Sequence, residues 1–439
     1  MNAPPTAAQE RIDQFRELQQ ADSATRVMRW NWNTPFFISP HDPDVFYAAA
    51  NRVMKSTERG DDLQIISEDL SYADPEKIRI STRTTGGVTP DVTGAETFAT
   101  IVSLDESPLV QGKLYAGTDD GRLWLSPDDG ETWIERTGAY DGLVPEGTYV
   151  SRIEPSQHVA ERFYVTFDNH RRNDFTPYVL VTEDDGETFR SIASGIPQDW
   201  PADGPNFAHV VREDPVNPNL LFVGTDLGVW VSTDRGENWQ RFQNGLPTVP
   251  VHDLRIHPRD RELIAGTHGA SIWIVDIAPL QQLSDVRMAE GAILFEPAPG
   301  VQFGDAPVGG ESTGQQFFQG ESARFGAKLT YWLPEAVEGR RVDVVVTDDA
   351  GTEVATVTGT GREGVNTALW NLQGPAPTPM ALSPAARRDS LRTVGMIREV
   401  ADSLVENEGA DREQMDQMLE GIVSGNMARL FGGGGGFGG

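Results

Sequence analysis

The sequence contains no cysteine, which excludes disulfide bridges, thiolate metal ligands and cysteine nucleophiles. Basic residues are also few, since 36 Lys+Arg face 66 Asp+Glu and give a formal net charge of -30. This excess of negative charge repels nucleic-acid phosphates and anionic lipid. No apolar run approaches the roughly 20 residues of a membrane span, and the first residues lack the features of an export signal. The composition predicts a soluble chain that binds neither nucleic acid nor membrane.

One unit of four short apolar runs recurs between residues 34 and 277. Its clearest copy reads FATIVSLD, KLYAGT, RLWLS and TWIERTG over residues 98–138, with a short turn after each run. The fifth copy, which begins VHDLRIH at residue 251, stops after three runs. Four strands repeated radially are typical of a propeller blade. The sequence therefore predicts an all-β fold with a β-propeller of about five four-stranded blades over residues 25–280, and we expect Arg26–Trp32 to supply the missing strand of the fifth.

The turn between the third and fourth strands carries the strongest signal, an Asp-box of the form Ser/Thr-x-Asp-x-Gly-x-Thr/Asn-aromatic. Its aspartate can accept N–H bonds of its own turn, its glycine tolerates positive φ, and its aromatic can fill the gap between neighbouring sheets. Because an active site is built once and this pattern recurs, we interpret the motif as structural. Its residues are Ser126, Asp128, Gly130 and Trp133, then Asp184, Gly186 and Phe189, then Asp234, Gly236 and Trp239.

Outside the repeats the chain divides into segments of different character. Residues 281–317 form a connector that contains Gly and Pro, and residues 318–375 alternate apolar and polar positions as in an Ig-like β-sandwich. Residues 376–431 have helical apolar spacing. A helical arm over 1–24 and a Gly-rich flexible tail over 432–439 complete the chain.

The end of the blades opposite the Asp-box turns is where a ligand is expected. An insertion in the third repeat contributes His170, Arg171, Arg172 and Asp174. A loop with these groups can bind a carboxylate, a sugar or a peptide terminus. The alternative is a solvated hairpin whose charges pair with one another.

Three turn residues, Asp119, Asp226 and His268, are predicted at the same end. Each is a candidate for ligand contact or, alternatively, for capping its own turn. His209 and His252 begin innermost strands and could face the channel, although a satisfied buried histidine is the simpler interpretation. No pair of histidines has helical metal-ligand spacing, so no metal site and no cofactor are predicted.

Several segments resemble a large bacterial family of sortilin-like BNR/Asp-box propeller proteins, often labelled glycosyl hydrolases. They include WNWNTPFFISPHDPDVFYAAA, GTDDGRLWLSPDDGETW, GTDLGVWVSTDRGENW and LIAGTHGASIWIVDIAPLQQL. The resemblance covers residues 25–375 and implies a propeller followed by a sandwich. It also implies a secreted or periplasmic protein, with this chain as the C-terminal half of a longer one. Ala270 stands where the family tends to have arginine.

The sequence leaves two functions open. The first is a non-catalytic binding or scaffolding module for an extracellular polypeptide or polysaccharide, because no catalytic set is identifiable. The alternative is a glycoside hydrolase that uses Asp119 and Asp226, which requires their carboxyls to lie about 5–10 Å apart in one cleft. An assembly factor of the photosystem-associated propeller type rests on fold analogy alone.

Overall fold

The structure is a computed structural model. It describes residues 28–79, 97–199, 202, 204–243, 245–283, 288–289, 291–300, 325–374, 384–408, 411–412 and 415–416. The predicted N-terminal arm and the Gly-rich tail lie outside these residues. In the part of the chain that the structure describes, no helix has the length and apolar character needed to cross a bilayer.

Four antiparallel four-stranded sheets and one three-stranded sheet succeed one another along residues 36–276, and we name them blades one to five. The strands of blades one and two are β1 (Phe36–Ile38), β2 (Phe46–Ala49), β3 (Val53–Ser56), β4 (Gln64–Ile65), β5 (Ile101–Glu106), β6 (Leu114–Thr118), β7 (Leu123–Ser126) and β8 (Ile134–Glu135). Those of blades three to five are β9 (Tyr149–Pro155), β10 (Phe163–Asp168), β11 (Tyr178–Thr182), β12 (Arg190–Ser191), β13 (Ala208–Glu213), β14 (Leu221–Thr225), β15 (Gly228–Ser232), β16 (Gln240–Phe242), β17 (Val251–His257), β18 (Glu262–Thr267) and β19 (Ile272–Asp276). The predicted all-β, propeller-like architecture is confirmed at this level.

The strand register shows which turns share an end of a blade. In blade two Ile101, at the start of β5, pairs with Thr118 at the end of β6. Ser126, at the start of the Asp-box turn, pairs with Leu114 at the other end of β6. The start of the first strand and the turn between the second and third strands therefore lie together, and we call this the cavity end. The Asp-box turns lie at the opposite end.

Each Asp-box hairpin is closed by its own side chains. Asp128 accepts hydrogen bonds from the backbone N–H and the hydroxyl of Thr132, at 2.8 and 2.7 Å, and Ser126 Oγ accepts the Gly130 N–H at 2.9 Å. The hydrogen bonds from Thr132 lower the pKa of Asp128. Gly130 has a φ of +89°, a conformation that favours glycine. The same bonds recur around Asp184 and Asp234.

The aromatic residues of the boxes connect successive blades. Trp133 donates its indole N–H to the Ile66 carbonyl beyond β4, at 3.0 Å, and Trp239 donates to the Ile192 carbonyl beyond β12, at 2.6 Å. Phe189 packs edge-on against Tyr140, which follows β8. Burying an aromatic of this size while satisfying its N–H stabilises a packed core by about 3–5 kcal/mol. These contacts hold each sheet against the one before it.

Blade five has three strands within the described chain, and residues 28–32 do not provide its fourth. Arg29 instead donates to the Ala99 carbonyl at 3.1 Å and to the Asp69 carboxylate at 2.6 Å. The prediction that Arg26–Trp32 completes blade five is wrong for residues 28–32, because a buried guanidinium needs the acceptors that it finds beside blades one and two. Ile272 and Ile274 of β19 remain 67% and 59% exposed.

The remaining described strands form two smaller sheets. One has the order β20 (Ile293–Leu294), β21 (Ala327–Leu333) and β24 (Gly364–Trp370), and the other pairs β22 (Arg341–Thr347) with β23 (Glu353–Thr360). Strand β20 lies within the stretch predicted as a connector. The helices are α1 (Pro75–Arg79), α2 (Ala278–Gln281) and α3 (Pro384–Glu408). Within the segment 376–431 that was predicted to be helical, the residues after 408 lie almost wholly outside the described ones.

Candidate functional site

A cavity of about 660 Å³ opens at the cavity end, and its wall carries residues from all five blades. Its charged side chains are three arginines and three aspartates, with four histidines beside them. These residues are Arg152, Arg171, Arg255, Asp168, Asp226, Asp253, His170, His209, His252 and His268. In a chain with nearly twice as many acidic as basic residues, the wall of this cavity is balanced in formal charge.

A β-bulge near the start of the innermost strand, at its second or third residue, recurs in blades two to five. In blade two Ile101 pairs with Thr118 and Ser103 pairs with Gly117, so that Val102 has no partner residue. A bulge changes the direction of a side chain relative to regular alternation along the strand. The bulge residues all line the cavity, and they are Val102, Ser151, His209 and His252.

A second series of equivalent positions lies at the end of the second strand or directly after it. The backbone N–H of Asp119 donates to the Thr100 carbonyl at 2.9 Å, that of Asp226 to Phe207 at 3.2 Å, and that of His268 to Pro250 at 2.8 Å. In blade three the register gives this place to Asp168, which pairs with Tyr149. The residues of the series are Asp119, Asp168, Asp226 and His268.

The Asp119 carboxylate is buried and is used in hydrogen bonds within its own blade. It is only 8% exposed, and it accepts hydrogen bonds from the Thr100 backbone N–H at 2.8 Å and the Thr100 hydroxyl at 3.0 Å. Burial, followed by the charge of Asp120, raises its pKa to about 7. Asp119 is absent from the cavity wall, whereas Asp226 lines it. The two carboxylates considered for glycoside hydrolysis thus do not share this cavity.

Asp226 occupies the equivalent place in blade four without such a cap. Phe207 stands where blade two has Thr100, and it has no hydroxyl to donate. The Asp226 carboxylate is 22% exposed, and its Oδ1 lies 3.5 Å from His209 Nε2, which is beyond ordinary hydrogen-bond length. His209 Nε2 is buried and has no hydrogen-bond partner among the described residues. The Asp226 carboxylate and His209 Nε2 therefore face each other, and neither has a hydrogen-bond partner among the described residues.

The histidines of the cavity form a continuous row of rings with one phenylalanine. His170 stacks on Phe207 at 4.7 Å, Phe207 contacts His209 at 4.9 Å, and His209 lies 4.2 Å from His252 between ring centroids. His252 is in turn 4.8 Å from His268. Partial desolvation of the ring in the cavity wall, together with the neighbouring His209 and His268, lowers the pKa of His252 to about 4. His252 is therefore neutral at physiological pH.

The insertion of blade three divides into supporting and cavity-lining residues. Arg172 donates to the carbonyls of Glu146 and Gly147, at 2.5 and 3.0 Å, and Asp174 accepts from Asn169 and Tyr178, both at 2.8 Å. These two residues hold the loop in place.

His170 and Arg171 of the same insertion line the cavity. His170 Nδ1 lies 2.6 Å from Asp168 Oδ1, which directs the opposite edge of the imidazole away from Asp168. The hydrogen bonds from His170 hold the pKa of Asp168 below its usual range even though burial opposes this.

Arg171 is the cation of the cavity without an acidic partner. Its guanidinium lies 5.1 Å over the ring of Tyr149, and no carboxylate pairs with it among the described residues. Arg152 and Arg255, in contrast, lie 3.2 and 3.9 Å from Asp253. The Arg171 guanidinium is exposed and held by an aromatic face, an arrangement suited to binding an anionic group.

Of the residues predicted to contact a ligand, the structure brings His170, Arg171, Asp226 and His268 to the cavity. It places Arg172, Asp174 and Asp119 in supporting roles. Sequence reasoning did not predict that His209 and His252 would meet. Their signal was a histidine at the second position of two successive innermost strands, but the bulge that turns both toward one space cannot be read from alternation.

Comparisons with known proteins give fold neighbours only. No protein-family model and no curated protein matches the sequence. Solved structures similar to the chain include a GH74 xyloglucanase from Xanthomonas campestris (17% identity over 58% of this chain and 46% of that one, TM-score 0.33) and the Niastella koreensis GH74 enzyme (12%, 79% and 44%, 0.36). Another is the extracellular domain of a putative one-component system from B. thetaiotaomicron (10%, 76% and 32%, 0.36).

The matched region spans less than half the length of each of these three neighbours. At TM-scores below 0.5 the likeness does not bear on the activity or the ligand of this chain.

Proposed function

We propose that this chain is a non-catalytic binding module that takes an acidic group of an extracellular polypeptide or polysaccharide in the cavity. The observation that carries the proposal is Arg171, an exposed guanidinium on the cavity wall with no acidic partner among the described residues. An anionic group of the ligand would supply the missing partner. A charge-assisted hydrogen bond of this kind contributes about 1.5–3 kcal/mol.

The surroundings of Arg171 support this choice of ligand. With a formal charge of -30, the outer surface repels anions at long range, so a binding site for an acidic group needs local cations. Arg152 and Arg255 on the same wall share Asp253 between them, and the imidazoles add donors without fixed charge. His170, oriented by Asp168, is the nearest such donor along the chain to Arg171.

The proposal includes the finer features of the predicted architecture. These are a ring of about five blades, an Ig-like sandwich after it, membership of the sortilin-like Asp-box family and a secreted or periplasmic location. The recurrence of the Asp-box hydrogen bonds in blades two to four supports the family. Ile272 and Ile274 on β19 are exposed in the structure, and closure of the ring would cover these apolar side chains.

The direct test is a peptide and glycan array in which each acidic member has a neutral counterpart, such as an amidated peptide or a methyl-esterified uronic acid. We expect binding to acidic members and loss on neutralisation. For a hit, isothermal titration should show affinity at least about 10-fold weaker in Arg171→Ala. The matched control is Arg190→Ala, in the same blade but next to the Asp-box turn, which should bind like wild type.

Equal binding of neutral members, or an unchanged affinity in Arg171→Ala, would contradict the proposal. A hydrolysis screen run in parallel addresses the competing function. Turnover that disappears in Asp226→Asn would make the chain an enzyme and overturn its assignment as a binding module.

A further inference from the structure

The part of the cavity wall that blades four and five share contains three converging ligand atoms. One nitrogen each from His209 and His252 and one carboxylate oxygen from Asp226 all lie within 4.8 Å of one another. His209 and His252 are bulge residues and Asp226 is a turn residue, so each ligand atom is positioned by a different part of the backbone. The backbone N–H of Asp226 is fixed by the Phe207 carbonyl at 3.2 Å.

The hydrogen bonds of the fold do not account for this cluster. Asp119 and Asp226 hold equivalent places, yet Asp119 caps Thr100, whereas the Asp226 carboxylate accepts no hydrogen bond from any residue that the structure describes. His209 Nε2 is buried without a hydrogen-bond partner in the described chain. Leaving a buried polar atom without a partner costs about 1–3 kcal/mol. A bound cation that accepts the lone pair of this nitrogen would remove the cost.

We propose that His209, Asp226 and His252 bind a divalent transition-metal ion of the zinc type, with an open coordination position toward the cavity. Two imidazoles and one carboxylate are a ligand set of known catalytic zinc sites. Mg²⁺ and Ca²⁺ prefer oxygen ligands, so nitrogen donors from two histidines favour zinc and its neighbours in the first transition row.

The distances fit such an ion after small side-chain movements. Two ligand atoms at about 2.0–2.1 Å from a tetrahedral zinc lie roughly 3.3 Å apart, and His209 Nε2 is 3.5 Å from Asp226 Oδ1. The ligand atom of His252, the exposed member of the three, lies within 4.8 Å of the other two. Rotation of an exposed imidazole about its side-chain bonds is the movement required.

The inference goes beyond the proposed function and does not depend on it. An ion with an open position would offer a second binding point for the carboxylate that Arg171 is proposed to hold. The two tests remain distinguishable, because metal binding is measured without any peptide or glycan.

The experiment uses the full chain, freed of metal with a chelator and then dialysed. Isothermal titration with Zn²⁺ should show one site with a dissociation constant in the micromolar range or below. Titration with Co²⁺ should produce intense visible absorption typical of four or five ligands, in place of the weak bands of the hydrated ion. His252→Gln should weaken Zn²⁺ binding by at least about 10-fold, because ligand loss exceeds the effect of losing an outer-sphere partner.

His257→Gln is the matched control, since it makes the same change at the opposite end of the same strand. It should bind Zn²⁺ like wild type. Because His252 is exposed, His252→Gln should also keep the wild-type unfolding midpoint, which separates loss of a ligand from loss of the fold. Absence of saturable Zn²⁺ binding in the wild type, or equal binding by wild type and His252→Gln, would overturn the proposal.

Discussion

Blades two and four have an aspartate at the same backbone position, but its carboxylate has a different role in each blade. Asp119 and Asp226 both follow the second strand of their blade, and both donate their backbone N–H to the chain before the innermost strand. In blade two that chain offers Thr100, whose N–H and hydroxyl bind the Asp119 carboxylate. In blade four it offers Phe207, and Asp226 faces the cavity.

The difference shows that one neighbouring residue can decide whether a repeated aspartate supports the fold or is left for a ligand. Thr100 supplies a second donor and draws the carboxylate into the blade. Phe207 supplies a ring instead, against which His170 and His209 pack. Three changes test this contrast, in order of decreasing effect.

The largest effect is expected from Asp119→Ala. The substitution leaves the buried Thr100 N–H and hydroxyl without their acceptor and should lower the free energy of unfolding by about 2–3 kcal/mol. Urea unfolding at pH 5, where a carboxyl with a pKa of about 7 is protonated, measures this without the added cost of burying a charge. Asp226→Ala, its counterpart in blade four, should change stability by less than about 0.5 kcal/mol. Similar losses in the two variants would remove the contrast.

The pH dependence of stability should differ between wild type and Asp119→Asn. The folded-state pKa of Asp119, about 7, lies above its value of about 3.9 in an unfolded chain. The folded state therefore binds more protons between these values, and this contribution to stability is present at pH 4 and lost as the pH rises through 7. The wild type should thus lose stability relative to Asp119→Asn over that range. Parallel curves in thermal unfolding at several pH values would contradict the pKa.

Thr100→Val should have the smallest measurable effect. Valine keeps a similar shape and the backbone N–H stays in place, but the hydroxyl that donates to Asp119 and accepts from the Asn31 amide is lost. A loss of about 1–2 kcal/mol is therefore expected. The cavity should remain unchanged, and Zn²⁺ binding by Thr100→Val should equal that of wild type. A larger loss than in Asp119→Ala would contradict the assignment of the Asp119 carboxylate as the main partner of Thr100.

The sequence predicts the blades well because their signals are local. An Asp-box carries its own hydrogen bonds within a few residues, so Asp128, Asp184 and Asp234 could be assigned to their turns from spacing alone. The same hairpins identified the end of the blades opposite the Asp-box turns, where the structure has its cavity. The strand proposed for Arg26–Trp32 failed because the acceptors of Arg29 lie up to 70 residues away, beyond any local pattern.

The candidate site was only partly predictable for a related reason. His170 and Arg171 stand in an insertion that interrupts the repeat and can be seen in the sequence. The meeting of His209 and His252 depends on a bulge in each of two strands, and a bulge changes the register by one residue without changing the apolar pattern. Whether Asp119 or Asp226 was free depended on Thr100 and Phe207, about 19 residues earlier in each case.

The recurring bulge also makes the cavity wall open to redesign. Val102 and Ser151 occupy in blades two and three the positions that His209 and His252 occupy in blades four and five. Each of the four residues lines the cavity from a strand that also contributes buried apolar side chains to the core. An engineer could therefore install a thiol, an acid or a further imidazole at Val102 or Ser151 one blade at a time, while the Asp-box hairpins at the far end keep the scaffold unchanged.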